Sequence, residues 1–161
     1  MSGRVMKQVT LITDGSCIGN PGPGGWAALL RYGSKSKELV GSASWTTNNR
    51  MEMTAVVRGL EAIREPCRVT VETDSEYVKN GITRWIRLWR RNGWITAART
   101  PVKNRDLWRA LDDASGRHKV QWRWVKGHAS HADNNRCDKL ARAAALSVKG
   151  NRPKRRQEHS R

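Results

Sequence analysis

Four carboxylates in this chain stand at positions where a fold can gather them. The run Gln8-Val9-Thr10-Leu11-Ile12-Thr13 is β-branched and apolar enough for an interior strand, and it ends on Asp14 and then Gly15, which permits a sharp exit. The pattern recurs where Arg68-Val69-Thr70-Val71-Glu72-Thr73 runs into Asp74 and Ser75. Either Asp read singly does no more than open a turn; two copies of the pattern deliver a carboxylate to one rim of a sheet. Glu52 falls in the first turn of a helix, at the margin of its apolar stripe. There it either forms a capping box with Asn49 or looks back toward the sheet. Asp138 adjoins the buried stripe of Cys137, Leu140, Ala141 and Ala144, and read alone it is a surface partner for Arg142.

Such acids repel and raise one another's pKa unless a cation sits among them. Oxygen donors without a Cys/His quartet suit Mg²⁺ or Mn²⁺ rather than structural zinc. Two such ions about 3.5–4 Å apart would activate an attacking water and stabilise a departing 3′-oxygen, the requirement of phosphodiester cleavage.

The remaining composition points to the same partner. Against 31 Lys and Arg stand 14 Asp and Glu, a formal net charge of +17 in 161 residues, which attracts polyanions over long range and exceeds what solubility requires. Nucleic acid is the expected partner. No window is long and apolar enough to cross a membrane, and the opening residues lack the apolar segment of an export leader. Three cysteines, Cys17, Cys67 and Cys137, cannot close a disulfide set, so a cytoplasmic location is expected. Eight tryptophans accompany no phenylalanine, and several are interleaved with Arg.

The elements that must position the acids follow from periodicity. The strand ending at Asp14 precedes a Gly/Pro turn at 20–25, strand 26–32, a hairpin loop at 33–37 and strand 38–45, an antiparallel meander. Met53, Val56, Val57, Leu60 and Ile63 recur at helical spacing, with Thr46, Thr47, Asn48 and Asn49 as cap residues and Pro66 as a stop. After the strand ending at Asp74 come a short helix at 75–81, a second at 83–91 and a third beginning near Asp106. An alternating strand follows at 119–125, then a loop carrying His128 and a helix at 132–146. The expected fold is α/β, a five-stranded mixed sheet with helices on both faces and the two Asp residues beyond carboxyl strand ends. Residues 1–146 form the expected domain, and 147–161 a basic, disordered tail.

Thr13-Asp14-Gly15-Ser16, Asn48-Asn49-Arg50-Met51-Glu52, Thr73-Asp74-Ser75, Trp124-Val125-Lys126-Gly127-His128 and Asn134-Asn135-Arg136-Cys137-Asp138 together resemble type 1 ribonuclease H, the bacterial form in particular. The likeness runs from about Val9 to about Leu146 and implies the ribonuclease H-like fold in a monomer. It also implies Mg²⁺-dependent (Mn²⁺ substituting) endonucleolytic hydrolysis of the RNA strand of an RNA/DNA hybrid, leaving 5′-phosphate ends. Carried over by position, Asp14, Glu52, Asp74 and Asp138 are the metal-binding acids, Glu52 also faces a ribose 2′-hydroxyl, and His128 assists proton transfer or product departure. The groove contacts it implies are Gly15, Ser16, Cys17, Asn20, Asn48, Asn49 and Glu76, with Asn134 near the scissile region. Thr47 joins Asn20 at a DNA phosphate. Trp85, Arg87, Trp89, Arg90 and Arg91 form a basic protrusion on the DNA strand, one indole inside and one outside. Glu76 stands where bacterial relatives often carry Gln, and the protrusion uses Arg rather than mostly Lys. Rival readings are another nuclease of the same fold and a non-catalytic hybrid-binding module.

Arg binds phosphate bidentately, so hybrid affinity is expected to fall steeply with salt. A titration series from low to high salt checks this, and a nearly flat plot of log affinity against log salt would refute it.

Overall fold

The computed structural model describes residues 5–126 and 132–150. A meander opens the sheet: β1 (Gln8–Cys17), β2 (Gly22–Tyr32) and β3 (Lys35–Thr46) pair antiparallel in sequence. Helix α1 (Asn48–Glu61) returns the chain so that β4 (Arg68–Thr73) pairs parallel with β1. The chain then runs through α2 (Glu76–Asn80), a π-helical turn (Gly81–Trp85), α3 (Ile86–Asn92) and α4 (Arg105–Gly116) into β5 (Lys119–Trp124). β5 pairs parallel with β4 and is followed by α5 (Ala132–Ser147). The strand order is β3-β2-β1-β4-β5, the expected mixed sheet.

Alternation along β1 assigns the two faces. Leu11 lies under α1, where a Cβ on Gly59 would come 2.5 Å from its Cδ1, while Ile12 packs with Cys137 and Ala141 of α5. The α1 face holds the larger core, in which Met53, Val56, Leu60, Val69, Val71, Trp108 and Leu111 are fully buried. Burying side chains of this size contributes about 1.5–3 kcal/mol each. Trp108 fills the space that phenylalanines would occupy in another sequence, and its indole N–H donates to Tyr77 Oη at 3.3 Å.

Three local readings of the sequence differ from the structure. Gly22 to Gly25 belong to β2 rather than to a turn. A Cβ on Gly25 would meet Ala141 O at 2.3 Å and Ala145 N at 2.6 Å, so this glycine serves close approach of α5 to the sheet. The first hairpin is tighter than expected, because Tyr32 already pairs with Lys35 and Gly33 turns the chain at φ 59°. Helix α1 is capped by Thr47, whose side chain accepts from the Arg50 N–H at 3.2 Å, so the Asn49 box with Glu52 does not form. The helices expected at 75–81 and 83–91 are α2 and α3, joined without a break through the π turn, where Gly81 faces the Trp108 ring. The tail beyond 150 and the His128 loop lie outside the described residues.

Gly25→Ala forces its methyl against helix backbone that cannot rotate away, so it is expected to cost about 1–3 kcal/mol. Urea denaturation of the two proteins measures this; an unchanged midpoint would mean that α5 can lift from β2 freely.

Candidate active site

The parallel register of β1 and β4 pairs Ile12 with Glu72, so Asp14 and Asp74, each two residues further on, emerge at the same carboxyl-terminal rim. Glu52 arrives from the other direction. The start of α1 lies directly against β1, where a Cβ on Gly15 would sit 2.6 Å from Glu52 N and 2.7 Å from the Met51 carbonyl carbon. Only glycine at 15 permits that approach. Carboxylate oxygens of Asp14, Glu52 and Asp74 thereby come within 4.8 Å of one another.

The group is largely shielded from water, with Asp14 3% and Glu52 7% exposed. The Gly15 N–H donates to Asp14 Oδ1 at 2.9 Å. Burial first, then the charges of Asp14 and Asp74, push the Glu52 carboxyl well above the usual carboxylate range, against a backbone hydrogen bond from Gly15 that opposes the shift. Glu52 Oε1 is buried and accepts no hydrogen bond among the described residues. Three convergent carboxylates, one with an oxygen that no donor among the described residues satisfies, are the donor set a hard divalent cation takes.

Asp138 belongs to the same cavity, of about 420 Å³, but not to the tight group. Its Oδ1 accepts from Arg142 Nε at 3.1 Å, so the expected four-acid cluster is, among the described residues, three acids with a fourth lining the same cavity. Gly15, Ser16, Cys17 and Asn48 also line this cavity. Asn20 Oδ1 accepts the Asn48 N–H at 2.9 Å and Thr47 caps α1, so both residues of the expected phosphate pocket brace the helix start. The Cys17 Sγ lies 3.4 Å from the Thr46 carbonyl, and burial raises its thiol pKa.

Other expected contacts are distributed differently. Asn49 and Glu76 are exposed and outside the cavity lining. Asn134 is only 2% exposed and lines a separate cavity with Thr10, Ile12 and Glu72, beneath rather than within the acidic site. Trp85 and Trp89 share burial instead of dividing into one inside and one outside. Trp85 packs on Tyr77 and Trp89, and Trp89 packs in turn on Trp94 and Trp108. Arg87 and Arg91 are exposed, whereas Arg90 Nε donates to both Asp112 carboxylate oxygens at 3.0 Å. Sequence reasoning missed Ile18 and Leu146 as cavity walls and placed Arg142 only as a partner for Asp138. The fourfold spacing of Asp138, Arg142 and Leu146 on one helix was the available signal.

Fold and site together define a basic α/β protein that presents a carboxylate cation site at a sheet rim. The RNase H family model matches residues 6–146. Ribonuclease H of Solibacter usitatus is 63% identical over 140 residues, covering 87% of this chain and 96% of that protein. Ribonuclease H of Novosphingobium aromaticivorans is 61% identical over 143 residues, covering 89% of this chain and 100% of that one. Among solved structures, LC9-RNase H1 superimposes with a TM-score of 0.81 at 35% identity, covering 91% of this chain and 76% of that one. The chain belongs to the ribonuclease H family, enzymes that cleave the RNA of RNA/DNA hybrids.

Because the folded protein holds the Glu52 proton more tightly than the unfolded chain does, the stability this proton contributes is complete below the unfolded carboxylate pKa. It is lost as pH rises through the folded value. In EDTA, Glu52→Gln is therefore expected to be more stable than the parent at pH 7.5, by about 0.5–2 kcal/mol, with the difference closing near pH 4. Denaturant melts across that range test it, and a gap that widens toward acid would reverse the assignment.

Proposed function

We propose that Asp14, Glu52 and Asp74 hold divalent cations, Mg²⁺ with Mn²⁺ able to substitute. On this reading the chain hydrolyses the RNA strand of an RNA/DNA hybrid internally, leaving 5′-phosphate and 3′-hydroxyl ends. The observation that carries the reading is the convergence of three carboxylates within 4.8 Å at one rim of a protein whose net charge is +17. Bound cations supply Lewis-acid stabilisation of the phosphodiester and a deprotonated water at neutral pH.

The chain's own groups do the rest. Asp14 and Asp74, delivered by paired parallel strands, keep their spacing because the sheet register is rigid. Glu52 lies beside them with its uncommitted oxygen, placed to accept from a ribose 2′-hydroxyl, the group that tells RNA from DNA. Gly15, Ser16, Cys17 and Asn48 form the wall along which that strand lies. Asp138, oriented by Arg142, lines the cavity as the fourth acid. His128 takes the proton-transfer or product-departure role that its sequence motif implies. Arg87 and Arg91, exposed on α3, hold the DNA strand through its phosphates, while the tilted contact of Trp85 with Trp89 braces the helix that carries them. The protein works as a cytoplasmic monomer, with residues 1–146 as the catalytic domain and 147–161 adding sequence-independent affinity.

Asp14→Asn tests the reading. Mg²⁺-dependent cleavage of a hybrid is expected to fall by at least about 10³-fold, the several kcal/mol attributed to bound cations, while hybrid binding in EDTA survives. Parent protein that binds hybrid yet never cleaves it, with or without Mg²⁺, would identify a binding module instead.

A further inference from the structure

Helix α5 packs over β1, β2 and β3 on one side of the sheet, and on that same side Arg68 of β4 and Lys119, Gln121 and Arg123 of β5 are exposed. The register sets what this open face presents. Gln8, Arg68 and Lys119 stand abreast at the starts of β1, β4 and β5, and Thr10, Thr70 and Gln121 form the next row on the same face. Gln8, Arg68, Thr70, Lys119 and Gln121 line a cleft of about 370 Å³ to which no carboxylate contributes.

Arg68 and Lys119 lie directly opposite one another in the parallel ladder. Like charges so placed weaken a sheet. Further along the same ladder the facing pair is of opposite charge, with Arg123 3.7 Å from Glu72, whereas among the described residues Arg68 and Lys119 form no ion pair. An anion seated between them relieves the repulsion. The cleft offers no apolar anchor of the kind on which a protein interface centres, because its two valines, Val69 and Val120, point by alternation into the core on the other side. Cations, amides and a hydroxyl are instead the groups that meet phosphate and sugar oxygens.

The cleft is remote from the acids. Gln8 precedes Asp14 by six residues, about 20 Å along an extended strand, and the two cavities share no lining residue. A duplex at the rim therefore leaves the cationic row accessible. We infer that the Arg68–Lys119 face holds the phosphate backbone of a second duplex segment while a hybrid occupies the acidic rim. This rests on the reading that the rim takes the hybrid. The net charge of +17 favours the same occupant, because a polyanion drawn to the molecule finds in this row two cations that no acid has neutralised.

Sedimentation equilibrium of the full chain in EDTA at low salt, titrated with a short blunt RNA/DNA hybrid, tests it. The parent is expected to take up two hybrids, the second more weakly. Replacing Arg68→Gln and Lys119→Gln together should weaken the second step by about tenfold and lower its salt slope by about 2, the release of roughly one counterion per lost phosphate contact. The first step and Mg²⁺-dependent cleavage should stay at parental levels, Arg68→Lys should keep the second step, and the urea midpoint of the double variant should not fall, since a repulsive pair has been removed. The inference is overturned if the parent saturates with one hybrid, if the double variant keeps the second step, or if it weakens both steps alike. A glutamate-rich peptide that binds the parent more tightly than the second hybrid, and only with Arg68 and Lys119 present, would assign the face to an acidic protein and overturn it too. Parent protein that takes up two hybrids yet cleaves neither in Mg²⁺ would support this inference and count against the hydrolytic reading, so the two failures are distinguishable.

Discussion

The closeness of three acids within a shielded rim is the constraint from which the rest of the architecture follows. Desolvation and mutual repulsion both disfavour charge on Glu52, and a hydrogen bond from the Gly15 backbone opposes them. Among the described residues, several guanidinium groups near the rim pair with other acids. Arg142 pairs with Asp138, Arg123 lies 3.7 Å from Glu72, and Arg31 chelates Asp133 at 2.6 and 2.7 Å. These guanidinium groups neutralise acids around the rim.

Holding carboxylates together against repulsion requires stiff supports, and the structure provides them from three directions. The parallel β1–β4 ladder sets Asp14 against Asp74. Gly15 lets α1 come to backbone contact with β1, and Thr47 and Asn20 secure the start of that helix. Arg50, in its first turn, donates to Asn104 Oδ1 at 3.0 Å and to Asp106 Oδ2 at 2.7 Å, fastening α1 to α4. Exposed ion pairs of this kind contribute only about 0–1 kcal/mol each, so this bidentate bridge fixes orientation more than it adds stability.

The same α4 carries the platform for the basic protrusion. Trp108 sits at its centre, touching Tyr77 and Trp89, and Gly81 in the π turn leaves room for its ring. Trp85 and Trp94 extend the ladder outward. Helix α3 carries Arg87, Arg90 and Arg91 among these indoles. Tilted packing of the indoles holds α3 against α4 while Arg87 and Arg91 remain in solvent. Arg90, held by Asp112, spends its charge on securing α3 to α4.

Much of this was legible in the chain itself. The repeated strand-to-Asp pattern, the amphipathic spacing from Met53 to Leu60 and the one-sided charge determined the order of elements, the mixed sheet and three of the acids, because period and composition are local properties. What escaped was whatever depends on a neighbour distant in sequence. Residues 22–25 read as a turn because glycine and proline mean a turn locally, whereas Gly25 is required by α5 arriving more than a hundred residues later. Asn134, expected near the scissile region, is buried and lines a cavity with Thr10, Ile12 and Glu72, a neighbourhood set by how α5 crosses the sheet. The choice between capping box and rim carboxylate for Glu52, and between surface pair and cavity-lining acid for Asp138, could be made only when packing set α1 against Gly15 and α5 across the sheet. Distances between side chains on separate elements are decided by that packing, and sequence periodicity carries no record of them.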